Sequence, residues 1–309
     1  MLEFLPINSY TFNMEYISAE KAAEKWGISP RSVRNYCAKS RIPGAFISGK
    51  TWNIPENAEK PCRKKKDYVQ KNLIQALKTE KNAGLHGGIY HRIQVDLTYN
   101  TNHIEGSTLT HEQTRFIFET KTVMPGETGI LRTDDIVETA NHFKCIDLII
   151  KNAHRRLNAA FIKELHRTLK NGTEDSRKNW FAVGEYKKLP NEVGGNETAR
   201  PEDVSSEMSR LLKTYNYSKE KNLDELLDFH WRFERIHPFQ DGNGRVGRLI
   251  LFKECLRCGI VPFIITEDLK LFYYRGLAHW QREKGYLRDT CLAAQDNFKK
   301  ILDYFRIRY

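Results

Sequence analysis

The 309-residue chain holds six cysteines, at positions 37, 62, 145, 255, 258 and 291. They are too few and too scattered for a disulfide framework, and such a set fits a reducing compartment. Nowhere do apolar residues run unbroken for the ~18 positions that a membrane helix needs. The opening MLEFLPINSYTF has no basic stretch of the secretory kind. The expectation is a cytoplasmic protein with no membrane partner. Fixed-period repeats and low-complexity tracts are also missing, so a solenoid is excluded. The balance of 40% hydrophobic and 29% charged residues, with a mean hydropathy of −0.62, is that of a globular protein. At ~100–200 residues per domain the length allows two domains.

Aspartate is absent before position 67. Residues 1–66 carry eight lysines and four arginines against six glutamates, a net +6 out of +11 for the whole chain. Basic density confined to one terminal segment points to a polyanion, with nucleic acid the first candidate.

Within that segment Ser18 stands where it can cap a short helix, AEKAAEKW, which Gly27 ends. Ser29 caps a second helix over about 30–39, with Pro30 in the first helical position, where its missing N–H costs nothing. Val33 and Tyr36 turn to a small core, leaving Arg31, Ser32, Arg34 and Asn35 outward. AFISGKTWNIP then predicts two strands, 45–47 and 51–54, around a Ser-Gly-Lys turn that holds Lys50. Over about 14–60 the segment resembles the winged helix-turn-helix of the excisionase and MerR-like families. That resemblance implies DNA contact through Arg31, Ser32, Arg34, Asn35 and Lys50. The same bihelical unit also suits protein docking or dimerisation, and both readings stand. Helix-turn-helix units often bind as pairs, which puts a homodimer among the expected partners. Arg63-Lys64-Lys65-Lys66 sits in a linker and serves either to touch phosphates or as a solubilising tether. The expected division is 1–60, a basic linker over 61–66, and a mainly α domain over 67–309.

In the large domain, apolar residues at three and four spacing dominate, with one expected hairpin near 183–193. Leu223, Leu226, Leu227, His230, Trp231, Phe233 and Ile236 form an apolar helix face running into HPFQDGNGRVGR, residues 237–248. Pro238 stops that helix, and Gly242-Asn243-Gly244 make a turn. Val246, Leu249, Ile250, Phe252 and Leu256 then open a new helix, which Gly259 closes. A glycine-rich turn at a helix N-terminus is an anion site. Arg245 and Arg248, three apart in its first turn, can grip two phosphate groups. Asp241 is a hard oxygen ligand suited to Mg²⁺ shared with phosphate, and His237 can take a proton near neutral pH.

HPFQDGNGRVGR resembles the signature of the Fic family, HPFx(D/E)GNGRxxR, at every defining position. The resemblance implies a nucleotidyltransferase that moves AMP from ATP onto a Ser, Thr or Tyr hydroxyl of a target protein and releases pyrophosphate. It gives His237 the proton and Asp241 the Mg²⁺. It sets Gly242, Asn243 and Gly244 around the α-phosphate, Arg245 on the α/β region and Arg248 on the γ-phosphate, with Val246 and Gly247 in the same nucleotide-binding stretch. Thr101-Asn102-His103-Ile104-Glu105-Gly106 resembles the family's inhibitory motif (S/T)xxxE(G/N), on a helix around 98–106, whose Glu105 would pair with Arg248. VGEYKKLPNEVGG, residues 183–195, resembles the flap that pins the target, with Val193, Gly194, Gly195 and Asn196 bordering the nucleotide. Tyr273 and Tyr274 correspond to a base-contacting pair, although core packing would equally use them. Gln281 stands where relatives carry Asn, a departure that leaves its base contact open.

Cys255 and Cys258 sit i,i+3 on one helix with no second pair at zinc spacing, so packing is expected there rather than metal. The alternatives to the transferase are a DNA-binding regulator whose Fic domain senses nucleotide, and a Fic enzyme that uses another nucleotide, moves phosphocholine or removes AMP.

Overall fold

The structure is a computed structural model describing residues 15–49, 51–61, 72–125 and 130–309. Contacts divide the chain into two compact units, Met1–Val69 and Gln70–Tyr309. Lys50 and the basic run 63–66 lie outside the described residues.

In the first unit, α1 (Ala19–Trp26) is capped by Ser18, whose hydroxyl accepts from Lys21 N–H, and ends at Gly27. α2 (Pro30–Ala38) is capped by Ser29, which accepts from Ser32 N–H. Strands β2 (Phe46–Ser48) and β3 (Thr51–Pro55) pair antiparallel, close to the expected spans. The sequence reading missed β1 (Tyr16–Ser18), which pairs with the other edge of β3 to give the order β1-β3-β2. Ala22, Ala23, Trp26, Val33, Cys37 and Ile54 form the core of this unit. Arg31, Arg34 and Asn35 are exposed on α2, but Arg34 is paired with Glu20 at 2.6 Å and Ser32 shares the Ser29 cap.

The second unit is a helical assembly. Its helices are α3 (Leu73–Ala83), α4 (Ile89–Ile104), α5 (His111–Thr120), α6 (Thr133–Lys151), α7 (Ala159–Lys170), α8 (Pro201–Tyr217), α9 (Leu223–Ile236), α10 (Asn243–Cys258), α11 (Lys270–His279) and α12 (Gly285–Phe305). α10 is packed against α4, α6, α7 and α9 and is buried around most of its circumference. Its apolar residues Val246, Leu249, Ile250, Phe252 and Leu256 all lie in the core, and Gly259 ends it, as expected. Enclosure of this kind makes α10 the axis on which the signature arginines are fixed. Cys255 is fully buried in the core with Cys258 packed against it, and no cluster of metal-ligating residues occurs among the described residues. No described helix is long and apolar enough to cross a membrane.

The hairpin is shorter and later than expected. β4 (Glu192–Val193) and β5 (Asn196–Glu197) pair through Gly194-Gly195. Both glycines have positive φ, 54° and 75°, the two-residue turn geometry that side chains disfavour and that matches strand twist. Residues 183–191 are not a strand because their polar groups serve the signature segment instead. Lys187 N–H donates to Pro238 O at 2.9 Å, Leu189 N–H to Gln240 Oε1 at 3.3 Å, and Asn191 Nδ2 to Phe239 O at 3.1 Å.

Candidate active site

The site is built on the link between α9 and α10. Asn222 and Glu225 form a reciprocal capping box that starts α9. His237 ends α9 with φ 50° and ψ 63°, a left-handed conformation that costs a non-glycine residue about 1–3 kcal/mol and persists only where surroundings over-determine it. Pro238 comes next, and its ring disfavours the ordinary helical conformation for the residue before it.

The surroundings that hold His237 are specific. Asn243 is buried; its Oδ1 accepts from Phe239 N–H and its Nδ2 donates to Phe239 O, both at 2.8 Å. The Asn243 side chain therefore shapes the turn instead of facing a phosphate, and what it offers an anion is its backbone amide. His166, from α7, stacks on Phe239 with ring centroids 4.0 Å apart. Its Nδ1 accepts from Gly184 N–H at 2.9 Å, so the proton sits on Nε2, which donates to Asp241 O at 3.2 Å. Lys187 is buried, and its Nζ donates to Asn191 Oδ1 at 2.7 Å, Thr198 Oγ1 at 2.6 Å and Ile236 O at 3.4 Å. Burial among neutral hydrogen-bond partners, outweighing the opposing charge of Glu207, pushes Lys187 down to about 8. The flap is thereby tied to the signature segment on both sides of His237.

Burial, and then the nearby Lys187 charge, push His237 down to about 4, so its imidazole is neutral and able to accept a proton at pH 7. Its Nδ1 is buried with no hydrogen-bond partner. Asp241 is half-exposed at 50%; burial alone would raise its carboxyl, but Arg245 and Lys170 outweigh that and hold it well below the usual range. Beyond it, Asn243, Gly244 and Arg245 stand in the first turn of α10, where helix geometry leaves the N–H groups without intrahelical acceptors. An ionised carboxylate, the first amides of a positive helix end and two arginines thus lie within eight residues, 241–248.

Both arginines are engaged. Arg248 donates to Glu105 Oε1 at 2.5 Å and to Thr101 O at 3.2 Å, joining both ends of the 101–106 motif to α10. Burial would raise Glu105, but Arg248 overcomes it and keeps the carboxylate charged. Gly244 makes this approach feasible, because a Cβ there would lie 2.3 Å from Glu105 Oε1 and 3.0 Å from an Arg248 nitrogen. Arg245 donates to Asp241 Oδ2 at 3.0 Å and also pairs with Glu138, which comes from α6. The Nε atoms of Arg245 and Arg248 are buried and unpartnered. Behind Arg248 only about 10 Å³ is left, among Leu97, Leu251, Phe252 and Phe263, so its guanidinium rests on a packed floor.

Several sequence-assigned residues fall elsewhere. Val246 is fully buried in the core and Gly247 is packed against Glu234 and His230, so neither lines the anion site; they allow α10 to pack closely. Tyr273 is also buried, bonded to His230 Nε2 at 2.6 Å, whereas Tyr274 stays half-exposed near enough to Glu105 for burial and that carboxylate to push its phenol up to about 12. Val193, Gly194 and Gly195 are exposed on the flap, and Gln281 is exposed in the turn after α11. His166, Lys170, Glu138 and Lys187 were not foreseen. The one signal was that Lys170 extends the otherwise apolar α7 face of Ile162, Leu165, His166 and Leu169, which a solvated lysine would not do.

A family model described as the Fic/DOC family matches residues 156–254. The protein adenylyltransferase Fic of Drosophila grimshawi is 29% identical over 216 residues, 67% of this chain and 42% of that protein. The Nematostella vectensis protein of the same name is 28% identical over 58% of this chain and 41% of its own length. The chain thus spans about two fifths of these curated relatives. Among solved structures, a Fic-domain-containing signalling protein from Bacteroides thetaiotaomicron is 27% identical with a TM-score of 0.56, covering 75% of this chain and 91% of that one. A Desulfovibrio desulfuricans Fic family protein, 22% identical, shares the fold with a TM-score of 0.59 over 76% of this chain and 74% of its own. A mainly helical architecture with a small hairpin is therefore the fold of solved Fic proteins, and over residues 156–254 this chain carries a Fic/DOC family domain.

Proposed function

We propose that the protein is an autoinhibited protein adenylyltransferase. It transfers AMP from ATP to a Ser, Thr or Tyr hydroxyl of a target protein. The target oxygen forms a bond to the α-phosphorus, the α–β phosphoanhydride bond breaks, pyrophosphate leaves, and the hydroxyl proton passes to His237. The observation that carries this reading is the Arg248–Glu105 pair at 2.5 Å in an otherwise complete signature site. A guarding carboxylate on the expected γ-phosphate arginine has a purpose only where a triphosphate is to be admitted or refused. The relatives named protein adenylyltransferases support the same activity.

Asp241 fits Mg²⁺: it is ionised, half-exposed, and the only signature carboxylate, so a cation held there would share its coordination with phosphate oxygens and water. Bound Mg²⁺ would neutralise and orient the polyphosphate. His237 is held neutral, Arg245 and the amides of Gly244 and Asn243 offer donors to the transferring phosphate, and the Gly194-Gly195 hairpin presents an exposed edge to an extended target segment. For the amino-terminal unit we propose DNA binding, supported by exposed Arg31 and Asn35 on α2 and the net +6 of residues 1–66.

The test is mass spectrometry of lysate proteins exposed to the Glu105→Gly protein with MgATP. AMP adducts on hydroxyl side chains, lost when His237→Ala is added, are expected. Absence of any adduct would contradict the transferase and favour the nucleotide-sensing regulator.

A further inference from the structure

Resting on that reading of Asp241 and Arg245, we propose that Glu138 and Lys170 are working parts of the metal and phosphate site. They close it as a ring of four charges in the absence of a metal nucleotide, and they remain as each other's partner when it opens. Lys170 Nζ lies 2.6 Å from Glu138 Oε1 and 2.7 Å from Asp241 Oδ2. Arg245 completes the ring, pairing with Glu138 and, at 3.0 Å, with the same Asp241 oxygen. The side chains of Lys170, Arg245 and Glu138 are 2%, 7% and 13% exposed, against 50% for Asp241. Three corners are withdrawn from water and the fourth is a carboxylate offered to it.

The ring balances two cations with two carboxylates, the condition under which buried charges are tolerated. It also makes opening an exchange of partners. Lys170 and Arg245 both hold Asp241 Oδ2, so a divalent cation taken up at that oxygen competes with both and, by charge repulsion, drives off the Lys170 ammonium. When Arg245 takes a phosphate oxygen it gives up Glu138. The two groups released are already paired with one another, and Lys170 keeps Asp175 at 3.3 Å as well, so neither is stranded as an uncompensated buried charge. A cation alone must displace both Lys170 and Arg245 from that oxygen and brings Arg245 no new partner. Lys170 therefore makes the site resist bare metal and accept metal and polyphosphate together. Glu138 stands at Arg245 as Glu105 stands at Arg248, but from the middle of α6 instead of a helix end, so it changes partner without leaving its place.

Titration of the full chain with Mn²⁺ in the absence of nucleotide, following free Mn²⁺ by electron paramagnetic resonance, tests this. Wild type is expected to bind weakly, Lys170→Met at least ~10-fold more tightly, and Lys170→Arg like wild type; Asp241→Asn in the Lys170→Met background removes the gain. A lysine that only supports the fold would move the thermal midpoint and leave Mn²⁺ affinity unchanged. Should Lys170→Met not fold, Lys170→Met/Glu138→Gln removes one charge of each sign and is expected to retain a gain of at least about threefold. Unchanged or weaker Mn²⁺ binding overturns the proposal. If Asp241-dependent Mn²⁺ binding with ATP persists in that case, the transferase reading survives; a gain that Asp241→Asn does not remove overturns both the ring and the assignment of metal to Asp241.

Discussion

His237 combines two properties that its sequence position alone does not require: a left-handed backbone and a neutral ring. Both follow from enclosure, with Pro238 and the Asn243 bonds setting the backbone while burial and Lys187 disfavour the imidazolium. In the free protein, an NMR titration of the His237 ring is expected to show a midpoint of about 4. A midpoint near the ordinary ~6.5 would show an exposed, uncoupled ring. The candidate base, hard oxygen ligand, anion turn and two arginines were legible as a group, because they are crowded into twelve consecutive positions. What was illegible were their supporters. His166, Lys170, Lys187 and Glu138 lie far away along the chain, and only folding reveals that His166 fixes Asp241 or that Glu138 meets Arg245. Tyr273, for which base contact and core packing were both open, is buried against His230 and beside Arg248.

Among the elements, α4 and the signature loop carry opposite duties. α4 ends at Glu105, where the negative end of the helix disfavours a carboxylate, and Arg248 offsets that cost. Glu105→Gly removes the partner of a charge-assisted bond worth roughly 1.5–3 kcal/mol and is expected to tighten MgATP binding on the order of 10–100-fold. Calorimetric titration checks this, and equal affinity in the two proteins would show that Glu105 does not compete with the nucleotide. Asn243→Ala leaves the buried Phe239 N–H and C=O without partners and is expected to cost about 1–3 kcal/mol in denaturant unfolding. A loss under about 0.5 kcal/mol, the size of an ordinary surface substitution, would mean the turn holds its shape unaided. Helix starts and stops were readable because capping is local: Ser18, Ser29 and Gly259 act within their own turns. The hairpin was misplaced because 183–191 bonds to 236–240, a pairing with no sequential signal, and β1 is too short to show a periodicity.

For the molecule as a whole, the fold class was legible from spacing, while the depth of polar burial was not. His142, His166 and His230 are held down to about 3, chiefly by burial. Below about 6.5 the unfolded chain takes up protons that these native rings refuse, so each removes up to about 1.4 kcal/mol of stability per pH unit as pH falls. Glu234, raised to about 8 by burial, acts oppositely: its contribution is present at low pH and lost as pH rises through 8. With His237, held down to about 4, four groups outweigh one, and the denaturant midpoint is expected to fall between about pH 6.5 and 5. A flat midpoint would show that the four rings titrate normally. The uneven charge, +6 in residues 1–66, further predicts that any DNA affinity weakens steeply with salt and is lost on deleting that segment.

The most direct discriminator uses ATP labelled at the α- or the γ-phosphorus, incubated with lysate proteins and the Glu105→Gly form in Mg²⁺. Protein-bound α label without γ label, abolished by His237→Ala, is the predicted result. Retention of γ label, or no protein-bound label from either nucleotide, would contradict nucleotidyl transfer at this site.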